Sequence, residues 1–235
     1  MLNTARPRMG VFALAFCLGG ISSQASVITF TSALPLGNLP QTVAVAGISV
    51  SAFEISKTNG MSWTNTGILN NRNEAPTELG LGVCADAHNC PATGNGSINE
   101  IDNNGSTFDA IRLDFGSVTL VHSVGLSSLD TGSKDGFAIF GSNTAQPDLS
   151  TLIPLAQGTN SSTGSETPAI TLNQSLRYLF VVPEYRSTND TGSDFLLASV
   201  DQGAATPEPW SIILVGAGLI AIGIARPAKD KVTPG

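Results

Sequence analysis

From Ser26 to Ala205 the chain is built of short apolar segments of period two, separated by Gly, Asn, Asp, Ser and Pro, and no sustained i, i+3, i+4 apolar stripe interrupts them. A strand sends successive side chains to opposite faces, so this pattern specifies sheet and leaves little room for helix. Ile111, Leu113 and Phe115 alternate with Arg112 and Asp114, which predicts one buried and one wet face. Strands are expected at Val27–Phe30, Thr42–Ile55 with a break near Gly47, Ala110–Phe115, Val118–Val121 and Val124–Leu129. Further strands are expected at Phe137–Phe140, Leu152–Leu155, Ala169–Leu172, Tyr178–Val182 and Phe195–Val200. About ten strands spaced by turns predict an all-β domain, a β-sandwich or jelly roll. Thr58–Asn104, rich in Asn and Gly, reads as a long functional or tied-down loop. Gly158–Pro168 reads as a solvated, mobile hairpin connection.

The two ends follow other rules. Arg6 and Arg8 precede an apolar stretch from Met9 to Ile21, and Ser23-Gln24-Ala25 places small residues where a signal peptidase reads them. Residues 1–25 are therefore expected to be a signal peptide, with cleavage after Ala25. Cys17 follows Phe16, where a lipoprotein signal wants Gly or Ala, so it reads as an ordinary leader residue. At the other end Pro207-Glu208-Pro209 precedes a charge-free run from Trp210 to Ala225, then Arg226, Lys229 and Lys231. Sixteen helical residues span about 24 Å, a little short of the hydrocarbon core, a difference that flanking residues or local thinning can absorb. Trp210 suits an interface and the basic residues a cytoplasmic flank. The expected organisation is residues 1–25 leader, 26–205 ectodomain and 206–235 sorting tail, with a transmembrane helix over 210–225.

This tail resembles the PEP-CTERM tail of Gram-negative surface proteins. The resemblance implies recognition by an exosortase, a membrane-embedded cysteine transpeptidase. The basic cluster here is broken by Pro227, Ala228 and Asp230, where the family shows a denser Arg run. Gly80-Leu81-Gly82-Val83 and Asn99-Glu100-Ile101-Asp102 also resemble a signature recurring in PEP-CTERM proteins with a jelly-roll ectodomain. What the resemblance implies is a secreted surface protein, not a catalytic residue set.

Between Ser26 and Thr206 sixteen acidic residues face six basic ones: Lys57, Arg72, Arg112, Lys134, Arg177 and Arg186. That balance argues against nucleic acid, whose phosphates need clustered cations, and suits an extracellular setting and divalent cations. Cys84 and Cys90 are the cysteines left once the leader is gone, and in an exported chain a close pair reads as a small-loop disulfide. A metal reading of Cys84, His88 and Cys90 lacks a second ligand pair of zinc-site spacing.

Glu100 and Asp102 stand two positions apart, so an extended backbone points both carboxylates to one side, near Asn103. Hard oxygens in that density suit Ca²⁺, with Asp194 able to join from the last strand. The bland alternative has Glu100 and Asp102 capping turns. Two Asp-Thr-Gly runs, at Asp130 and Asp190, suggest an aspartic protease, but sixty residues leave no room for two lobes, and turn chemistry is the better reading. His88 and His122 are the two histidines; no Gly-x-Ser-x-Gly or HExxH motif occurs. Tyr185 and Trp63 are the candidate sugar-stacking aromatics, with packing as the favoured alternative.

The expected function is a non-enzymatic structural or adhesive surface protein, exported to the envelope or extracellular matrix and transiently anchored in the inner membrane. Its expected partners are signal peptidase, an exosortase and exopolysaccharide. The alternative is a calcium-dependent carbohydrate-binding module that resembles the galactose-binding-like kind; a secreted hydrolase has only scattered acids behind it.

Overall fold

The computed structural model describes residues 26–57, 62–64, 67–74, 77–84, 100–104, 106–130, 135–184 and 194–205 of the 235-residue chain. The expected signal peptide and the whole expected sorting tail lie outside these residues. No helix among the described residues is long and apolar enough to cross a membrane.

Among the described residues thirteen strands join in one antiparallel sheet: β1 (Ser26–Thr29), β2 (Gly37–Asn38), β3 (Thr42–Val45), β4 (Ile48–Ser56), β5 (Ser62–Thr64), β6 (Ile68–Glu74), β7 (Glu78–Cys84), β8 (Ile101–Asn104), β9 (Thr107–Ser127), β10 (Gly136–Ser142), β11 (Ala156–Thr159), β12 (Ala169–Pro183) and β13 (Asp194–Ala205). The longest strand organises the rest. The first half of β9 pairs with β4, from Thr107↔Ser56 to Asp114↔Ser49. Its second half pairs with β13, from Thr119↔Ala205 to Ser127↔Leu196. Between the halves Gly116 takes φ +74°, a conformation costly for a residue with a Cβ, and its N–H donates to Asp114 Oδ1 at 2.8 Å. β12 follows the other edge of β9 through both halves. One set of strands is thus β3 and β5 on β4, then β9, β12, β10 and β11; the other runs β2, β6, β7, β13, β9, with β1 also on β13.

One apolar cluster gathers residues from both sets, among them Val50, Ile111, Leu113, Leu179, Leu81, Val124, Phe195 and Leu197. A second cluster lies on the opposite face of the first set: Phe53, Ile55, Phe108, Phe140, Phe180 and Val182, with Trp63, Ala145, Leu149 and Leu152 against it. Both faces of those strands are therefore covered. That is why Phe137–Phe140 and Tyr178–Val182 read as unbroken apolar runs and not as alternation.

Several expectations change. Thr58–Asn104 is not simply a loop: its described parts form β5, β6, β7 and β8. Polar residues disguise them. Asn70, Asn71 and Arg72 are consecutive and all buried. Asn71 Nδ2 donates to the carbonyls of Phe30, Leu34 and Pro35 at 3.0–3.2 Å, and Asn70 Nδ2 to Asn38 Oδ1 at 2.6 Å, which offsets the burial of both amide nitrogens. Gly80 sits in a strand because a Cβ there would come within 2.4 Å of the Leu197 carbonyl oxygen. The expected strand at Leu152–Leu155 is displaced to β11, since Pro154 has no N–H for a ladder. Leu149–Thr151 instead forms a 3₁₀ turn capped by Asp148, whose Oδ1 accepts from Ser150 N at 3.0 Å. Gly158–Pro168 is no hairpin connection: β11 and β12 both flank β10, and a helical turn, α1 (Asn160–Thr163), lies between them, ended by left-handed Gly164. Phe30, expected at the end of a strand, opens another one-turn helix. The separate strands expected over Ala110–Leu129 fuse into β9, which stops at Ser127, and those over Ala169–Val182 fuse into β12.

Candidate functional site

The densest chemistry lies where β8 bridges the two sets of strands. Glu54 on β4 stands opposite Asp109 on β9. Asn103 pairs with Phe108, so the next rung sets Asp102 beside Asp109, and the Asp102 N–H donates to Asp109 Oδ2 at 3.3 Å. Asp102 in turn stands opposite Asp194 at the start of β13. Four acidic residues thus occupy neighbouring positions on four adjacent strands, where like charges repel.

Beside Asp194 lies a second group. Glu100 is buried, and its Oε1 accepts from Arg72 Nη1 at 2.7 Å and from Ser128 Oγ at 3.2 Å. Ser128 is held at φ +61°, a strained angle for a residue with a side chain. Arg72, equally buried, also reaches Glu78, and Glu74 at 3.4 Å. One guanidinium therefore serves three glutamates. Asp135 is fully buried and accepts from the Asp130 N–H at 2.9 Å. Asp194 is hydrogen-bonded to both Glu100 and Asp135.

Two ionised carboxylates cannot share a hydrogen bond; a proton must lie between them. Burial, followed by the charges of Glu100, Asp135 and Asp130, pushes Asp194 up to about 8. Burial, reinforced by the charge of Asp102, holds Asp109 well above the ordinary carboxyl range. Burial also raises Asp102, against a stabilising hydrogen bond from Asp109. Glu100 is raised by burial, with Arg72 and Ser128 pulling the other way. The directions agree on where protons stay: one between Asp109 and Asp102, and one held by Asp194 among its acidic neighbours. Chemically this is a proton-holding clasp between β8, β9 and β13.

Of the expected calcium set, Glu100, Asp102 and Asp194 come into one region. Asn103 turns elsewhere: its Oδ1 accepts from Lys57 Nζ at 2.5 Å and its Nδ2 donates to the Glu184 carbonyl at 3.3 Å. Among the described residues no group of three or more His, Cys, Asp or Glu side chains is arranged to hold a metal ion. Asp109, Asp135, Arg72 and Glu78 belong to the clasp but were not anticipated. The readable signal was an acid inside an apolar segment, Phe108-Asp109-Ala110.

Cys84 is buried and disulfide-bonded; Cys90 lies outside the described residues. Trp63 packs edge-on against Phe53 and Phe180, with ring centroids 5.2 and 5.4 Å away, and its Nε1 donates to the Pro147 carbonyl at 3.0 Å. These contacts give the half-buried Trp63 a packing role. Tyr185 and Pro207, Glu208 and Pro209 lie outside the described residues, as do Asp190 and most of the first Asp-Thr-Gly run. His122 Nδ1 lies 3.3 Å from Asn173 Oδ1, on the surface. No protein-family model matches the chain, and no curated protein aligns with it significantly.

Proposed function

We propose that this is an exported surface protein whose ectodomain is delivered to the envelope or the extracellular matrix through a PEP-type tail. The observation that carries the reading is the order Pro207-Glu208-Pro209, charge-free Trp210–Ala225, then Arg226, Lys229 and Lys231. It begins two residues after β13 ends at Ala205. The acidic, all-β ectodomain, read as a β-sandwich or jelly roll with the two sets of strands as its layers, supports a structural or adhesive role and not catalysis. Its expected partners are signal peptidase, an exosortase in the inner membrane and exopolysaccharide.

The test is the intact mass of the protein recovered from cells with and without a functional exosortase. A mass running from Ser26 to about the Pro-Glu-Pro motif, seen only with the enzyme present, is expected. Retention of residues 210–235 in both strains would refute sorting by that enzyme. A second reading, a carbohydrate-binding module with Ca²⁺ as a structural ion, is favoured by a separate feature, the cleft beside β12.

A further inference from the structure

β12 is irregular at two places. Its register against β9 shifts between Thr171 and Gln174 and again between Leu176 and Tyr178, and Asn173, in the first shift, has φ +50°. Between the shifts lies the three-residue piece Gln174–Leu176. β10 pairs with β12 only as far as Ser142↔Tyr178 and then leaves it. The Asn143 side chain takes over the next rung, its Oδ1 accepting from Arg177 N at 3.3 Å. A cleft of about 170 Å³ opens where the strands part, lined by Gly141, Ser142, Asn143, Leu155 and Gln174–Leu176.

The lining has two parts. Leu155 and Leu176 supply an apolar wall, and Gly141 leaves it room: a Cβ there would stand 2.8 Å from Leu176 Cδ2 and 2.9 Å from Leu155 Cδ1. Around the wall are the hydroxyls of Ser142 and Ser175 and the amides of Asn143 and Gln174, the last three residues exposed. Among the described residues no charged side chain lines the cleft, and the neighbouring Arg177 is engaged with Asp114 at 3.4 Å and with the Tyr178 ring at 5.0 Å.

We propose that this cleft is a binding subsite for one neutral pyranose unit of a polysaccharide. An apolar wall matches the C–H face of a sugar ring, and hydroxyls and primary amides match its alternating donors and acceptors. The volume is below that of sites for larger ligands, about 300 Å³ and upward, which limits the occupant to a compact unit. A lining without a cation disfavours a uronate or a phosphate as the ligand. An added peptide strand is disfavoured, because the two shifts leave only three residues in regular register for a ladder. The inference deepens the carbohydrate reading and does not depend on the sorting tail.

The experiment is a titration of the full chain with the methyl glycosides of glucose, galactose and mannose, read by amide chemical shifts. At least one glycoside is expected to shift the amides of Ser142, Asn143, Ser175 and Leu176, with millimolar affinity. Gly141→Val, which fills the wall, is expected to weaken binding at least tenfold. Gln174→Ala, at an exposed position, is expected to weaken it several-fold with an unchanged melting temperature, so a misfolded Gly141 variant does not hide the answer. Shifts confined to another surface would overturn the cleft while leaving carbohydrate binding standing. No shifts with any glycoside, or an extended peptide that displaces a bound one along residues 169–176, would overturn it outright. Neither result bears on the intact-mass test of tail processing.

Discussion

Asp194 makes stability depend on pH in an unusual direction. A carboxyl that titrates at about 4 in the unfolded chain and about 8 in the fold binds its proton more tightly when folded. Between those values the native state holds more protons than the unfolded state, so the free energy of unfolding falls as pH rises. The contribution is complete below about pH 4 and lost above about pH 8. At about 1.4 kcal/mol per pH unit the full displacement would be worth about 5 kcal/mol. Asp194 keeps part of its surface in water and shares its proton with Glu100 and Asp135, so about 2 kcal/mol is the expected observable share. The assay is urea unfolding at 25 °C from pH 5 to pH 9, with the wild type losing about 2 kcal/mol, or about 4–8 °C in melting temperature. Asp194→Asn mimics the protonated form. It should lie within about 1 kcal/mol of wild type at pH 5, exceed it at pH 9 and show a shallower slope. Some slope should remain, because Asp102 and Asp109 are displaced in the same direction. A wild-type curve that rises from pH 5 to pH 8, or an Asp194→Asn curve parallel to it, would refute the proton assignment.

Three further outcomes test the packing around the clasp. Arg72→Met should cost about 3–5 kcal/mol by leaving Glu100 buried without its cation, and adding Glu100→Gln should recover part of the loss; additive losses in the double mutant would show that the pair is not coupled. Gly80→Ala should cost more than about 2 kcal/mol, since the contact is with the Leu197 backbone, whereas Gly116→Ala should cost only about 1 kcal/mol, since nothing lies within 4 Å and only φ is strained; equal effects in thermal melts would contradict the close-approach argument. Millimolar CaCl₂ tests the calcium reading of Glu100, Asp102 and Asp194: an ion held there would raise the melting temperature more at pH 9 than at pH 5 and not in Asp194→Asn, because a divalent cation competes with protons for the same oxygens, whereas no gain, or a gain independent of pH, would refute it.

Periodicity made the central strands legible, because apolar side chains decide burial there: β4, β9, β10, β12 and β13 all fall on expected apolar segments. It failed where burial is decided by hydrogen bonds. Asn70, Asn71 and Arg72 sit in β6 with three carbonyls, Asn38 and a group of glutamates as partners, most of them distant in sequence, and only Asn71 Oδ1 and Arg72 Nε lack one among the described residues. Glycine misled for a related reason, since Gly80 signals a neighbouring backbone and not a turn. Half of the clasp was readable from the spacing of Glu100 and Asp102. The other half depended on strand register: Asp109 meets Asp102, and Asp194 meets both Asp102 and Glu100, only after β8 has been laid between β9 and β13.

The clasp also bears on how load would pass through the molecule. β13 is flanked on both edges over the same residues, Ser199–Gln202, by β9 and by β1. Its first residue, Asp194, is tied to Glu100 and Asp135, and its last, Ala205, precedes the proposed sorting motif. A pull applied through the tail would therefore enter along the axis of a strand held by two antiparallel ladders. To release it, the hydrogen bonds of both ladders must break, whereas a strand held on one edge gives up only one. With the proton contribution of Asp194 lost above about pH 8, the start of β13 is where resistance should weaken first.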